Sequence, residues 1–223
     1  MKAVFVCFMI SVATAAPPDP AKFSPVEGGR AAQILDQFAA ARHRGGTFSA
    51  DVTETKYLRI LNQPVTSRGH VDFSPPSRFR FELLDPTRSV TVFNGEELWM
   101  HYSDFDETEH YTMRGPAQNK ARQAIAPILS TFGEQVAEWQ KFYKVTTSET
   151  PDWYLFELTP NRPPLSQQLT RIRLWVQRKD FVLGQFELVT VNGDRTVSEF
   201  NNAVVGRPIP EDTFRWTGAN QKR

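Results

Sequence analysis

The sequence predicts a mainly β, antiparallel fold, and three observations carry that prediction. Short runs alternate apolar and polar residues along most of the chain, as strands with one wet face do. Turn-forming pairs separate them: Pro75-Pro76, Asp85-Pro86, Asn94-Gly95 and Asn192-Gly193. Helical spacing occurs in two places, a short stretch near the amino terminus and a longer one in mid-chain.

The chain opens with Lys2, an apolar run of about ten residues and the small residues Ala13 to Ala16. This is the form of a secretory signal peptide, too short to span a bilayer. Cleavage is expected after Ala15, since a cut after Ala16 would place Pro17 beside the scissile bond. The expected organisation is a leader over 1–15, a flexible lead-in over 16–30 and one domain over 31–223. Cys7, the one cysteine, falls inside the leader, so neither a disulfide nor thiol chemistry is expected after export. The 26 Lys and Arg nearly balance 25 Asp and Glu and are scattered along the chain, which argues against nucleic acid or an anionic membrane surface as a partner. The 17 Phe and 5 Trp, by contrast, promise much apolar surface to bury or to offer.

Residues 31–42 place Ile34, Leu35 and Phe38 on one helical face, with Arg42, His43 and Arg44 at the carboxyl end and Gly45-Gly46 as the stop. Phe48, Ala50 and Val52 then alternate with Ser49, Asp51 and Thr53 in a first long strand. Residues 69–102 form a meander. Val71 and Phe73 share one face, as do Phe79, Phe81 and Leu83, while Arg78, Arg80 and Glu82 take the opposite one. Asn94-Gly95 suggests a type I′ hairpin, which needs positive φ at both residues. Residues 103–110 read as an acidic loop. Residues 117–139 return to helical spacing through Ile125, Ile128, Leu129 and Phe132, with Pro127 forcing a kink or a break. Strands resume beyond Phe142: Phe156 and Leu158 share a face, as do Ile172 and Leu174, and a strand over 213–216 closes the chain. The total is about ten strands.

No catalytic constellation emerges. Asp104-x-Asp106-x-Thr108 has the spacing of a phosphotransfer loop but lacks the parallel α/β sheet such a loop requires, and the calcium-loop pattern fails at Glu109 and Gly115. His101 and His110 repeat no known metal-ligand spacing, and a solvated acidic turn accounts for them. No G-x-S-x-G, Walker or dinucleotide fingerprint occurs, so the residues imply neither an enzyme nor a cofactor. Surface remains. Two arrangements satisfy these strands: a packed sandwich, which composition alone favours, and a curved sheet whose open concave side takes a hydrophobic ligand.

The order of the pieces adds to this. F-S-A-D-V-T-E-T-K over 48–56 is followed by G-x-V-x-F over 69–73, R-F-R-F-E over 78–82 and V-F-N-G-E-E-L-W-M-H-Y over 92–102. Later come Trp139 with Tyr143, then Leu158-Thr159-Pro160, Phe200-Asn201, Ile209-Pro210 and Phe214-Arg215-Trp216. This series resembles the periplasmic outer-membrane lipoprotein carrier (LolA-like) family along nearly all of the exported chain. The resemblance implies an incomplete, half-open antiparallel β-barrel with a helical lid over about 117–139 and a short N-terminal helix. It implies a periplasmic chaperone, monomeric, that shields lipoprotein acyl chains. Its partners would be acylated lipoproteins, the inner-membrane transporter that releases them and a receptor at the outer membrane. The alternative is a divergent LolA-like protein binding a lipid or glycolipid in a specialised export or envelope-sensing system. The residues expected to line the hollow are Phe48, Val52, Val71, Phe73, Phe79, Phe81, Val90, Val92, Leu98, Met100, Phe156, Leu158, Ile172 and Leu174, with Ile125, Ile128, Leu129 and Phe132 as the lid face. The family carries an arginine just before the proline of its second strand turn, resembling a latch to the lid. The matching position here is Pro75, which donates no hydrogen bond, so no latch residue carries over.

Overall fold

The period-2 runs pair into a single sheet. A computed structural model describes residues 16–113 and 139–218. Its strands are β1 (Ser24–Val26), β2 (Phe48–Tyr57), β3 (Val65–Ser74), β4 (Arg78–Asp85), β5 (Ser89–Phe93), β6 (Glu97–Tyr102), β7 (Glu107–Thr112), β8 (Tyr143–Glu149), β9 (Trp153–Pro160), β10 (Leu169–Gln177), β11 (Leu183–Thr190) and β12 (Arg195–Val205). All pair antiparallel in the order β1-β8-β9-β10-β11-β12-β2-β3-β4-β5-β6-β7. Among the described residues the order is linear with β1 and β7 at its two edges, an open sheet and not a closed barrel. The leader and the lid face Ile125, Ile128, Leu129 and Phe132 lie outside the described residues.

Helix α1 (Gly28–Gly45) runs three residues further at each end than its apolar spacing suggests. It buries Ile34 and Phe38 against one face of the sheet, here called inner. Phe38 packs within 5.1 Å of the Phe156 ring and 5.9 Å of Trp139, the latter in a helical turn, Trp139–Phe142. Gly69 bends the middle of the sheet. The β3–β4 register shifts between Arg68 and Gly69, and a Cβ on Gly69 would lie 1.7 Å from the Glu82 carbonyl oxygen. No other residue fits there.

Several expectations need correction. The segment expected as a lead-in over 16–30 packs on the sheet and enters α1. β1 pairs with β8, Trp175 Nε1 donates to the Pro18 carbonyl at 3.0 Å, and Phe23 packs on Trp153, Leu155 and Trp175. The segment covers an apolar strip on the outer face that would otherwise meet water. At the other terminus, residues 211–214 form a 3-10 turn rather than a strand. Phe214 is buried there beneath the Arg78 guanidinium, 5.4 Å from its ring, and Trp216 meets His101 at 5.5 Å. Half of the acidic loop is strand β7, because Thr108, His110 and Thr112 have ladder partners on β6. Around Asn94 the type I′ turn is replaced by a three-residue loop. Gly95 alone takes positive φ, and the Asn94 side-chain oxygen accepts from the amides of Glu96 and Glu97 at 2.9 and 2.8 Å.

Candidate functional site

The inner face is built by parity. On β2, Phe48, Ala50 and Val52 point inward. They face Phe73 and Val71 on β3, which face Phe79 and Phe81 on β4, and these meet Phe93 and Thr91 on β5. Leu98 and Met100 on β6 continue the row, and Tyr111 on β7 ends it. On the other side of α1, Phe156 and Leu158 pair with Leu174 and Ile172, which pair with Phe186 and Leu188. One continuous apolar surface results.

Twelve of the fourteen expected lining residues lie on this surface. Phe48, Val52, Val71, Phe73, Phe79, Leu98, Phe156, Leu158, Ile172 and Leu174 are buried in one cluster, and Phe81 and Met100 pack against it half-buried. Val90 and Val92 do not. Val90 stands opposite Glu82 and His101, and Val92 opposite Arg80 and Trp99, so both belong to the outer face. They are buried there, on the face crossed by the C-terminal segment. Half-buried apolar side chains pack on this surface on both sides of α1: Phe81, Met100, Tyr111 and Met113 run from β4 to just past β7, and Phe186 and Leu188 lie on β11.

A cation enters this surface from α1. The Arg42 guanidinium lies 5.9 Å from the centroids of both Phe48 and Phe73, and burial pushes its pKa down to about 10. The sequence places Arg42 only at a helix carboxyl end. The signal was present, because Ile34, Phe38 and Arg42 fall at i, i+4 and i+8 on one stripe. Toward one end the inner face also turns polar. Glu54 is buried beside Ser67 and Ser198, accepting from Ser198 Oγ at 3.4 Å and pairing with Lys56 at 3.1 Å.

The outer face holds a cluster that sequence reasoning missed. Ser49 Oγ and His70 Nε2 are 2.9 Å apart, and His70 Nδ1 and Asp51 Oδ1 are 3.1 Å apart. The distances are those of an acyl-transfer triad, but the setting is not. Asp72 also approaches Nε2, at 3.4 Å, and competes for it. β2 and β3 are interior strands whose amides serve the ladder, leaving no pair of backbone donors to hold an oxyanion. The cluster ties strands together instead, with Asn202 Nδ2 donating to Asp51 at 2.8 Å across the β12 bulge. His70 is held above the ordinary imidazole value by its bond to Asp72, against a smaller opposing effect of burial.

The inner side of this open antiparallel sheet is thus one apolar surface partly covered by α1. A family profile described as outer membrane lipoprotein carrier protein LolA matches residues 45–217. The chain belongs to the LolA family. Among relatives of LolA type, an outer-membrane lipoprotein carrier protein of Coxiella burnetii is 28% identical over 186 residues, covering 82% of this chain and 79% of its own. One from Xanthomonas oryzae pv. oryzae is 26% identical over 205 residues, covering 89% and 90%. The complex of MucA and MucB from Pseudomonas aeruginosa contains a similar fold. It is 15% identical, covers 85% of this chain and 62% of that one, and has a TM-score of 0.50. The LolA family is one of carriers. Among the described residues no helix is long and apolar enough to cross a membrane.

Proposed function

We propose that this chain is exported by cleavage of residues 1–15 and works in the periplasm as a monomer. There it carries lipoproteins from the inner to the outer membrane with their acyl chains against the inner face. The half-buried row of Phe81, Met100, Tyr111 and Met113 is the observation that carries this reading. On this reading an acyl chain lies along that row. Each methylene moved from water onto such a surface gains about 0.8 kcal/mol, so unshielded acyl chains do not cross an aqueous compartment alone. The partners on this reading are acylated lipoproteins, the inner-membrane transporter that releases them and an outer-membrane receptor.

Mixing the purified chain with an acylated lipoprotein in detergent-free buffer tests this. A carrier keeps the lipoprotein in solution and migrates with it as one complex. Lipoprotein that precipitates equally with and without the chain contradicts the reading. Pro75, in the place of the family arginine, favours a second reading: a divergent member that carries a lipid or glycolipid in a specialised export or envelope-sensing system. Free lipid bound in place of lipoprotein decides for it.

A further inference from the structure

Sulfur is confined to two places in this chain. Met1, Cys7 and Met9 stand in the segment proposed to be cleaved, and the remaining methionines are Met100 and Met113. Both pack on the inner face, half-buried against its apolar cluster. The buried members of that cluster are aliphatic and aromatic, without a methionine among them. Met100 stands in β6 between Thr91 of β5 and Glu109 of β7. Met113 follows β7, and its amide donates to the Glu96 carbonyl at 2.7 Å, which fixes it beside the start of β6. A thioether packs much as leucine does, yet its lone pairs stay open to an oxidant wherever solvent reaches it. The oxidisable sulfurs of the exported chain therefore lie where acyl chains would rest.

We propose that Met100 and Met113 form an oxidation site through which peroxide weakens the hold of the inner face on acyl chains. The inference rests on the carrier reading, in which acyl chains lie along the same row. A thioether lone pair attacks one peroxide oxygen, the O–O bond breaks and an S–O bond forms. Sulfur is oxidised by two electrons, the peroxide is reduced, and water leaves. The sulfoxide is a strong acceptor on an apolar surface. Turned inward, its oxygen faces methylenes and finds no donor; turned to water, it draws the side chain out of the row. Either position costs contact with cargo. Neither sulfur belongs to the fully buried core, so the sheet itself persists. Methionine sulfoxide reductases, one kind for each sulfur epimer, return the thioether and make the change reversible.

The test treats the chain, recovered from the periplasm without cargo, with hydrogen peroxide and locates added oxygen by peptide mass spectrometry. Binding is read with a dansyl-labelled fatty acid, which needs an acyl site but no lipoprotein. Sulfoxide is expected at both positions, with affinity weakened about tenfold or more and an unchanged circular dichroism spectrum. Methionine sulfoxide reductases are expected to restore the affinity. The double variant Met100→Leu, Met113→Leu, compared with itself before and after peroxide, is expected to change by less than about twofold, since leucine offers no lone pair. No sulfoxide at either position, equal affinity after oxidation, or an equal loss in the double variant overturns the proposal. So does a loss of affinity that comes with loss of the dichroism spectrum, which would be unfolding. An untreated chain that binds no fatty acid overturns it as well. Fatty-acid binding that responds to peroxide as expected, in a chain that binds no lipoprotein, supports the oxidation site and contradicts the lipoprotein reading alone.

Discussion

The Phe38 ring of α1 lies 5.1 Å from the Phe156 ring of β9, so part of the inner face is already occupied by the chain's own helix. The inner face is thus neither an empty hollow nor a sealed sandwich. It is filled beneath α1 and becomes half-buried toward β7.

Phe38 is fully buried among Trp139, Phe156 and Phe181, so Phe38→Ala removes a ring that nothing nearby replaces. The expected loss is about 3–5 kcal/mol of unfolding free energy. Urea denaturation measures it, and a loss within experimental error would mean that α1 does not pin the sheet.

Phe81→Glu and Val90→Thr form a matched pair. Phe81 is inward and half-buried, and Val90 is outward, opposite Glu82. The glutamate is expected to abolish cargo binding in a folded protein, since a carboxylate against acyl chains meets no partner. The threonine is expected to leave cargo binding in place and cost about 1 kcal/mol of stability. Cargo binding that survives Phe81→Glu, judged by co-migration, would show that the inner face is not where the acyl chains lie.

Gly69→Ala tests the bend. The added carbon would sit 1.7 Å from the Glu82 carbonyl, a backbone atom with no room to turn aside. The expected cost is about 3 kcal/mol through a shift of β3 against β4. A melting curve that matches the parent would show that the bulge relaxes freely.

Stability should depend on pH through His70. Its folded pKa is raised, by the bond to Asp72 first and by Asp51 after, with Arg80 nearby on the same face. The stabilisation it brings is fully present below the ordinary imidazole pKa and is lost as pH rises through the raised value. Asp51 is held low by Asn202 and His70. In Asp72, burial pushes upward and is outweighed by the bonds from His70 and Ser49. Both carboxylates contribute above the ordinary carboxylate range, and their share is lost on acidification. His70→Gln is therefore expected to flatten the alkaline limb of the stability profile. An unchanged limb, read by thermal melting across pH, would show that the cluster is not coupled to folding.

Much of this was legible in the sequence, and the failures have physical causes. Parity along β2 through β4 gave the inward residues correctly, because polar partners such as Ser49, Asp72 and Arg80 break the tie between faces. In β5 that tie-breaker is missing. Val90 and Val92 alternate with Thr91 and Phe93, both sets are apolar enough to be core, and the register against Arg80 and Glu82 alone decides. The terminal segments hid for another reason. Phe23 and Phe214 cover outer-face strips as single anchors in irregular backbone, which carries no period to detect. The bracing of the β2–β3 loop by Asp194 required the strand order, because Arg59 and Asp194 are far apart in the chain.

Native mass spectrometry of the chain recovered from the periplasm without detergent tests the central claim most directly. The account predicts a population whose added mass is that of an acylated lipoprotein, absent from Phe81→Glu. Wild-type and Phe81→Glu chains that carry the same added mass, or a wild-type chain that remains empty while lipoproteins still reach the outer membrane in its absence, would contradict it.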